Sequence, residues 1–172
     1  MKTEYLLNRE VELVLAALTP VNRLVLRVCL HTGLRVGDVL CLKTDQLKSQ
    51  FWVTEAKTGK RKRVGLPADL LGELREQAGA VWVFENRFDP AKHRSRQAVW
   101  IDVKRAAKAF RLPQNVAPHS FRKVYATELL HRYGDIDRVR RALNHGSQAT
   151  TMIYALADHQ LRMKYRKRKG RA

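Results

Sequence analysis

The chain has 172 residues, 45% of them hydrophobic, and its 34 Lys and Arg outnumber its 16 Asp and Glu to give a formal net charge of +18. This length and composition are typical of one globular domain with a sizeable core, and they exclude a disordered chain. The charge favours DNA, RNA or an anionic membrane surface as the partner. The sequence has no apolar run of membrane-spanning length and no signal-peptide pattern at its start, so we expect a cytoplasmic protein with no membrane partner.

The first part of the chain predicts three helices. Apolar residues at helical spacing indicate a helix over 9–18, with Asn8 as its N-cap. The Thr-Pro pair at 19–20 is typical of the cap and first turn of a second helix, which ends at Gly33. This second helix is apolar on more than one face, so we expect it at the centre of the core. A short helix over 35–42 follows.

From residue 50 the pattern changes to β-structure. Residues 51–54 and 63–66 are β-prone and flank a Thr-Gly turn at 58–59, which predicts an antiparallel hairpin. Residues 81–84 predict a third strand. The tip of the hairpin is very basic and contains Lys57, Lys60, Arg61, Lys62 and Arg63.

The rest of the chain is predicted to be helical. Proline, glycine and polar loops separate the predicted helices, which cover 68–77, 97–110, 120–133, 136–143 and 148–154. The residues from 155 to 172 form a basic tail. Many helices with one small antiparallel sheet indicate a mainly α-helical α+β fold, in a single domain over 1–172.

The two cysteines give no sign of a disulfide or a metal site. Cys29 and Cys41 lie among apolar residues, and no CxxC pair accompanies them. We therefore expect both to be small core residues, and we expect no metal and no cofactor.

Arginine, histidine and tyrosine side chains in distant segments suggest chemistry on a phosphate. His119 and Arg122 are three residues apart at the predicted start of a helix, so they share one face. His145 and Tyr154 follow later, and Arg35 lies far upstream. Arginine presents a fixed fork of donors that fits two phosphate oxygens, so these residues together could grip and attack a phosphodiester.

These residues and the segments around them resemble the catalytic domain of the tyrosine recombinases, the phage integrase family. Asn144 stands where that family usually has glycine, and Asp38 stands where glutamate is common. The resemblance lies in segments that occur in the family's order: TGLRVGDVL at 32–40, KTGK at 57–60, PHSFR at 118–122, LNHGS at 143–147 and TMIY at 151–154.

The resemblance implies cleavage and rejoining of double-stranded DNA without metal or ATP. Tyr154 would attack the scissile phosphate and form a covalent 3′-phosphotyrosine bond, which a 5′-hydroxyl later reverses. Arg35 and Arg122 would stabilise the charge on the non-bridging oxygens. Lys57 would protonate the departing 5′ oxygen, although Lys60 and Lys62 lie close by in the sequence.

The remaining roles are also implied by the resemblance. His119 would take the tyrosine proton, and His145 would donate a hydrogen bond to the phosphate. Asp38 would orient a neighbouring arginine or histidine. The residues that we expect to bind DNA are Lys60, Arg61, Lys62, Arg63 and Lys123.

The resemblance also implies a homotetramer on DNA, with residues 155–163 docking in cis or in trans, while we expect the free protein to be a monomer associated with the nucleoid. We expect no N-terminal DNA-binding domain, so the chain is either a fragment of a longer integrase or a minimal recombinase. DNA affinity should then depend on charge and fall steeply with salt.

Three alternatives remain at this stage. A type IB topoisomerase-like enzyme would relax plasmids of any sequence. A non-catalytic DNA-binding remnant of a recombinase should have lost a catalytic position, and none is missing. A basic RNA-binding protein is disfavoured because no aromatic-rich binding strand is present.

Overall fold

The computed structural model describes Glu4 and residues 6–144. These residues form a mainly helical fold with a small antiparallel sheet, which confirms the fold class predicted from the sequence. The helices are α1 (Asn8–Ala17), α2 (Pro20–Thr32), α3 (Val36–Leu40), α4 (Ala68–Gln77), α5 (Arg96–Ala109), α6 (Pro118–Tyr133) and α7 (Ile136–Ala142), and the strands are β1 (Gln50–Thr54) and β2 (Arg61–Gly65). The predicted helix over 148–154 and the basic tail lie outside the described residues.

Helix α2 lies at the centre of the core, as its apolar faces predicted. It packs against α1, α3, α4 and α6, and its Val25, Leu26 and Val28 side chains have no exposed surface. Burying each such side chain contributes roughly 1.5–3 kcal/mol to folding. No helix among the described residues is both long and apolar enough to cross a membrane.

Gly33 ends α2 and is required there for two reasons. Its φ of +64° lies in the left-handed region, where its N–H donates to the carbonyl oxygen of Cys29 at 2.8 Å. A Cβ at this position would overlap the ring of Tyr125 on α6. The chain can therefore turn from α2 into the segment that carries Arg35 while α6 stays close.

A buried carboxylate joins the start of α2 to α5. Asp102 accepts hydrogen bonds from the Thr19 N–H at 2.9 Å, the Thr19 hydroxyl at 2.8 Å and the Asn22 amide at 2.7 Å. Burial raises the pKa of Asp102, but the hydrogen bonds from Asn22 and Thr19 and the bond from Arg105 outweigh that effect and lower it. Asp102 therefore stays ionised and fixes α2 against α5.

The hairpin pairs β1 with β2 in an antiparallel register from Gln50–Gly65 to Thr54–Arg61. Side chains alternate between the two faces of a strand. Phe51, Val53 and Val64 are therefore buried against the helices, while Trp52 on the other face is 52% exposed. The strands are joined by the hairpin turn, which we define as residues 55–60.

Three local predictions were wrong. Leu7, not Asn8, is the N-cap of α1, because the carboxylate of Glu10 reaches back to accept the Leu7 N–H at 2.8 Å. Residues 81–84 make only an isolated bridge, from Trp82 to Lys43, because Val83 and Phe84 are buried against other segments without joining the hairpin, while Val81 is 47% exposed. Cys29 is buried as expected, but Cys41 is exposed, because it follows the last turn of α3 on its solvent side.

Candidate active site

A cavity of about 460 Å³ brings together side chains from distant parts of the chain. It lies between the start of α3, the hairpin turn and the first turn of α6. The predicted site residues that line this cavity, which we call the site cavity, are Arg35, Asp38, Lys57, His119 and Arg122. His145 and Tyr154, also predicted for the site, lie outside the described residues.

Arg35 is held at the edge of the site cavity by a carboxylate. Its Nη1 lies 2.5 Å from Oε2 of Glu55 and 4.0 Å from Oδ2 of Asp38. The Arg35 side chain keeps 24% of its surface exposed, whereas that of Glu55 has none. The guanidinium is thus fixed on its protein side and still accessible from the cavity.

Arg122 is almost completely buried, with 1% of its surface exposed. Its Nη1 donates to the carbonyl oxygen of Gly33 at 2.5 Å, and its Nη2 donates to that of Leu143 at 2.6 Å. One guanidinium therefore joins the segment leading into Arg35 to the end of α7.

His119 lies in the first turn of α6, at the mouth of the site cavity. Partial burial, assisted by the neighbouring cations Lys123, Arg122, Arg35 and Lys57, lowers the pKa of His119 to about 4. The imidazole is therefore neutral at neutral pH, so one ring nitrogen can accept a proton or a hydrogen bond.

Of the lysines near the hairpin tip, Lys57 lines the site cavity, and its charge contributes to the pKa shift of His119. Lys62 is placed differently from the expected DNA-facing position. Its ammonium points inward, donates to the carbonyl oxygen of Thr32 at 2.5 Å and lies 5.5 Å from the centre of the Tyr125 ring. The alternation of β2 explains this, because Lys62 shares the inner face with Val64.

The inward position changes the chemistry of Lys62. Burial, together with the positive charges of Arg122 and Arg35 and against the opposing effect of Glu55, lowers the pKa of its ammonium to about 8. Its neighbours in the sequence remain on the surface: Lys60, Arg61 and Arg63 are exposed, and the Arg61 guanidinium stacks 5.0 Å from the centre of the Trp52 ring.

Asp38 and Asn144, where the chain departs from the family pattern, have clear local roles. Asp38 is 5% exposed, and its Oδ1 accepts the Ala56 N–H at 2.9 Å, so it attaches α3 to the hairpin turn. Asn144 has a φ of +52°, in the left-handed region that glycine adopts freely and that asparagine tolerates better than most residues. Asparagine can therefore occupy the glycine position.

The sequence did not identify two residues of this site. Glu55, whose carboxylate contacts Arg35, was not singled out, although it is the one acidic residue in a strongly basic stretch. Arg96 lines the site cavity from the start of α5, some 60 residues after Arg35, and no motif marks it. Among the described residues, no group of three His, Cys, Asp or Glu side chains is arranged to hold a metal ion.

Comparison with known proteins identifies the family. The model of the phage integrase family matches residues 4–160, so the chain belongs to the phage integrase family. It is 31% identical over 134 residues to the probable integrase/recombinase YoeC of Bacillus subtilis, covering 75% of this chain and 74% of that protein. It is also 31% identical over 142 residues to the tyrosine recombinase XerA of Pyrococcus horikoshii, covering 77% of this chain and 49% of XerA.

Solved structures show the same fold. A lambda integrase tetramer bound to a Holliday junction superposes with a TM-score of 0.73 at 21% identity, covering 90% of this chain and 48% of the integrase. The fold is therefore that of a tyrosine recombinase catalytic domain. The chain spans about half the length of most of the curated relatives it matches, such as the 49% of XerA and the 43% of the phage P2 integrase.

Proposed function

We propose that this chain carries the catalytic site of a site-specific tyrosine recombinase, which cleaves and rejoins double-stranded DNA through a 3′-phosphotyrosine bond on Tyr154. The observation that carries the proposal is the site cavity, in which Arg35, Lys57, His119 and Arg122 converge from three distant segments. Three cations and a neutral histidine around one concave site fit a single bound phosphate.

The proposed chemistry combines these residues with Tyr154 and His145, which lie outside the described residues. The phenol oxygen of Tyr154 forms a bond to phosphorus while the bond from phosphorus to the 5′ oxygen breaks. The tyrosine proton passes to His119, which is neutral and can accept it, and Lys57 gives a proton to the leaving 5′ oxygen. Arg35 and Arg122 stabilise the negative charge on the non-bridging oxygens, and His145 adds a hydrogen bond there.

Rejoining reverses the same step. The phosphotyrosine bond conserves the energy of the phosphodiester, so a 5′-hydroxyl can attack it without ATP. The charge of the bound phosphate also offsets the cations that lower the pKa of His119, which makes this histidine a better base when DNA is present. No cofactor or metal enters this scheme.

The partner that we propose is double-stranded DNA. The net charge of +18 supports this, as do the exposed side chains of Lys60, Arg61 and Arg63 on the hairpin. We propose Lys123, the cation with the largest effect on the pKa of His119, as a further phosphate contact. The lambda integrase tetramer bound to a Holliday junction supports a tetramer as the working state on DNA. We also propose that the protein acts in the cytoplasm with the nucleoid, because the proposed substrate is DNA.

The test of this function is covalent trapping on a nicked suicide duplex, against a library of sequences. Wild-type protein should form a covalent DNA adduct in EDTA, and Tyr154→Phe should form none while still binding DNA. Tyr133→Phe is the matched control, since Tyr133 lies on α6 away from the cavity and is 42% exposed. Undiminished trapping by Tyr154→Phe, or a strict magnesium requirement, would contradict the proposal.

A further inference from the structure

We propose that Glu55 is a positioning residue of this site: its buried carboxylate holds Arg35 and the turn that carries Lys57 as one unit. The inference rests on the proposed function, because Arg35 and Lys57 are assigned to phosphate there. It goes beyond that function in naming an acidic residue on which the geometry of both cations depends.

The side chain of Glu55 connects Arg35 to the hairpin turn. Its Oε2 accepts hydrogen bonds from Nη1 of Arg35 at 2.5 Å and from the hydroxyl of Thr58 at 3.1 Å. Thr58 directly follows Lys57 in the sequence. One carboxylate oxygen therefore binds both the arginine before α3 and the residue next to the lysine.

The backbone of Glu55 shapes the same turn. Its N–H donates to the carbonyl oxygen of Lys60 at 3.0 Å, and its carbonyl oxygen accepts the N–H groups of Thr58 at 3.2 Å and Gly59 at 2.8 Å. Lys57 lies inside the loop that these bonds close. A movement of the Glu55 carboxylate would therefore disturb the position of Lys57 as well as that of Arg35.

The contact leaves Arg35 able to bind a phosphate. Among the described residues, the Arg35 side chain makes no hydrogen bond except the one from Nη1 to Glu55, and it lines the site cavity. A guanidinium anchored through one nitrogen keeps its planar fork in a fixed orientation, with donors left for the oxygens of a ligand. Glu55 thus orients Arg35 from behind.

The positive charges of Arg35 and Arg122 keep the Glu55 carboxylate ionised. Burial raises the pKa of its carboxyl, but the hydrogen bond and charge of Arg35, followed by the charge of Arg122, outweigh burial and lower it. The carboxylate is therefore ionised at neutral pH. Its second oxygen, Oε1, is buried and has no hydrogen-bond partner in the part of the chain that the structure describes.

That unpartnered oxygen argues against a role in stability alone. A buried polar atom without a partner costs free energy, and such atoms persist where function requires the group. Asp38, the carboxylate that the family pattern singles out, lies farther from Arg35, at 4.0 Å, and binds the backbone of Ala56 instead. Glu55 therefore makes the closer ionic contact with Arg35.

The first test is single-turnover cleavage of a suicide duplex at saturating DNA, measured together with DNA affinity and urea unfolding. Glu55→Gln keeps the shape and removes the charge. We expect its cleavage rate to fall on the order of 10- to 100-fold, because small misplacements of catalytic groups have effects of this size. DNA affinity should stay the same or rise, since a negative charge beside the phosphate is lost.

The matched control is Glu76→Gln, which changes net charge equally at an exposed position on α4 and should cleave like the wild type. Glu55→Asp, which keeps the charge, should recover part of the lost rate. Thr58→Val, which removes one donor to the carboxylate and leaves Arg35 paired, should show a smaller loss of rate than Glu55→Gln.

The outcomes separate this inference from the proposed function. A wild-type cleavage rate in Glu55→Gln would overturn the inference, and so would parallel losses of rate, affinity and unfolding free energy without recovery in Glu55→Asp. If wild-type protein forms no adduct, the proposed function fails, and Glu55 is judged by the NMR signal of the Arg35 Nε–H in the DNA-free protein. An unchanged signal in Glu55→Gln would then overturn the inference, and a broadened or shifted one would support it.

Discussion

Neighbouring cations on the two faces of strand β2 lie in different surroundings. Arg61 and Arg63 point outward into solvent, while Lys62 between them points inward, between α2 and α6. All three looked alike in the sequence, as parts of one basic tip. The net charge of a segment therefore indicates the kind of partner, whereas the alternation of side chains along the strand determines which of the charges face that partner.

The inward lysine is costly to bury, and the structure offsets that cost locally. Lys62 donates to the carbonyl oxygen of Thr32 at the C-terminal end of α2, where the helix dipole is negative. Arg122 binds the next carbonyl oxygen, that of Gly33. Two inward-facing cations therefore hold the segment that leads into Arg35, whereas the outward Arg61 stacks on the exposed ring of Trp52.

The largest effect should come from removing Arg122. Arg122→Met leaves the carbonyl oxygens of Gly33 and Leu143 without this donor and leaves Glu55 less compensated. We expect the free energy of unfolding to fall by about 3–5 kcal/mol, the usual effect of breaking a buried charged network. Urea unfolding measures this, with Arg61→Met as the exposed control. Equal midpoints for the two variants would refute the distinction between inward and outward cations.

A smaller effect on stability should follow from Lys62. Its folded pKa of about 8 lies below the usual 10.5, so between these values the unfolded state binds more protons and stability rises with pH. Lys62→Met should flatten this rise by about 1–2 kcal/mol, a figure reduced for the remaining solvent access. Urea unfolding at pH 7.5 and pH 10 tests this. A rise in Lys62→Met as steep as in the wild type would show that Lys62 is not buried.

The charge of Lys123 on α6 should have a measurable effect on the pKa of His119. Lys123 is the first of the cations that lower the pKa of His119, after burial itself. Lys123→Met should therefore raise the pKa of His119 from about 4 toward its usual value, as followed by NMR titration of the ring. Arg61→Met, on the outward face, should leave it in place. An unchanged pKa of His119 in Lys123→Met would show that the charge of Lys123 does not lower it.

The smallest effects on folding should come from the outward face. Arg63→Ala should change the free energy of unfolding by no more than about 0.5 kcal/mol, as is usual for exposed positions. If Arg63 contacts phosphate, the variant should lose roughly 0.9 from the slope of log affinity for DNA against log salt concentration. Fluorescence anisotropy over a salt series measures this slope. An unchanged slope would remove Arg63 from the DNA interface.

Most of the fold could be predicted from local sequence patterns. Helix α2 and its glycine stop, the hairpin and the helices from α4 to α7 follow from apolar spacing, caps and turn residues, which act over a few residues. The third strand failed because a short apolar run looks the same whether it is buried in a sheet or between other segments. The Asn8 cap failed because Glu10, three residues after Leu7, provided the acceptor instead.

The sequence by itself determined the family, the fold class and four residues that line the cavity, Arg35, Lys57, His119 and Arg122, because these depend on residue types in a fixed order. Only the tertiary structure decided that Glu55 holds Arg35, that Lys62 turns inward and that Arg122 joins Gly33 to Leu143. These contacts link residues 20 to 89 positions apart, and their geometry depends on how α2, α6 and the hairpin pack. No local pattern in the sequence predicts these contacts, because packing in the core determines how far apart the groups lie and how deeply they are buried. Burial in turn shifts their pKa values.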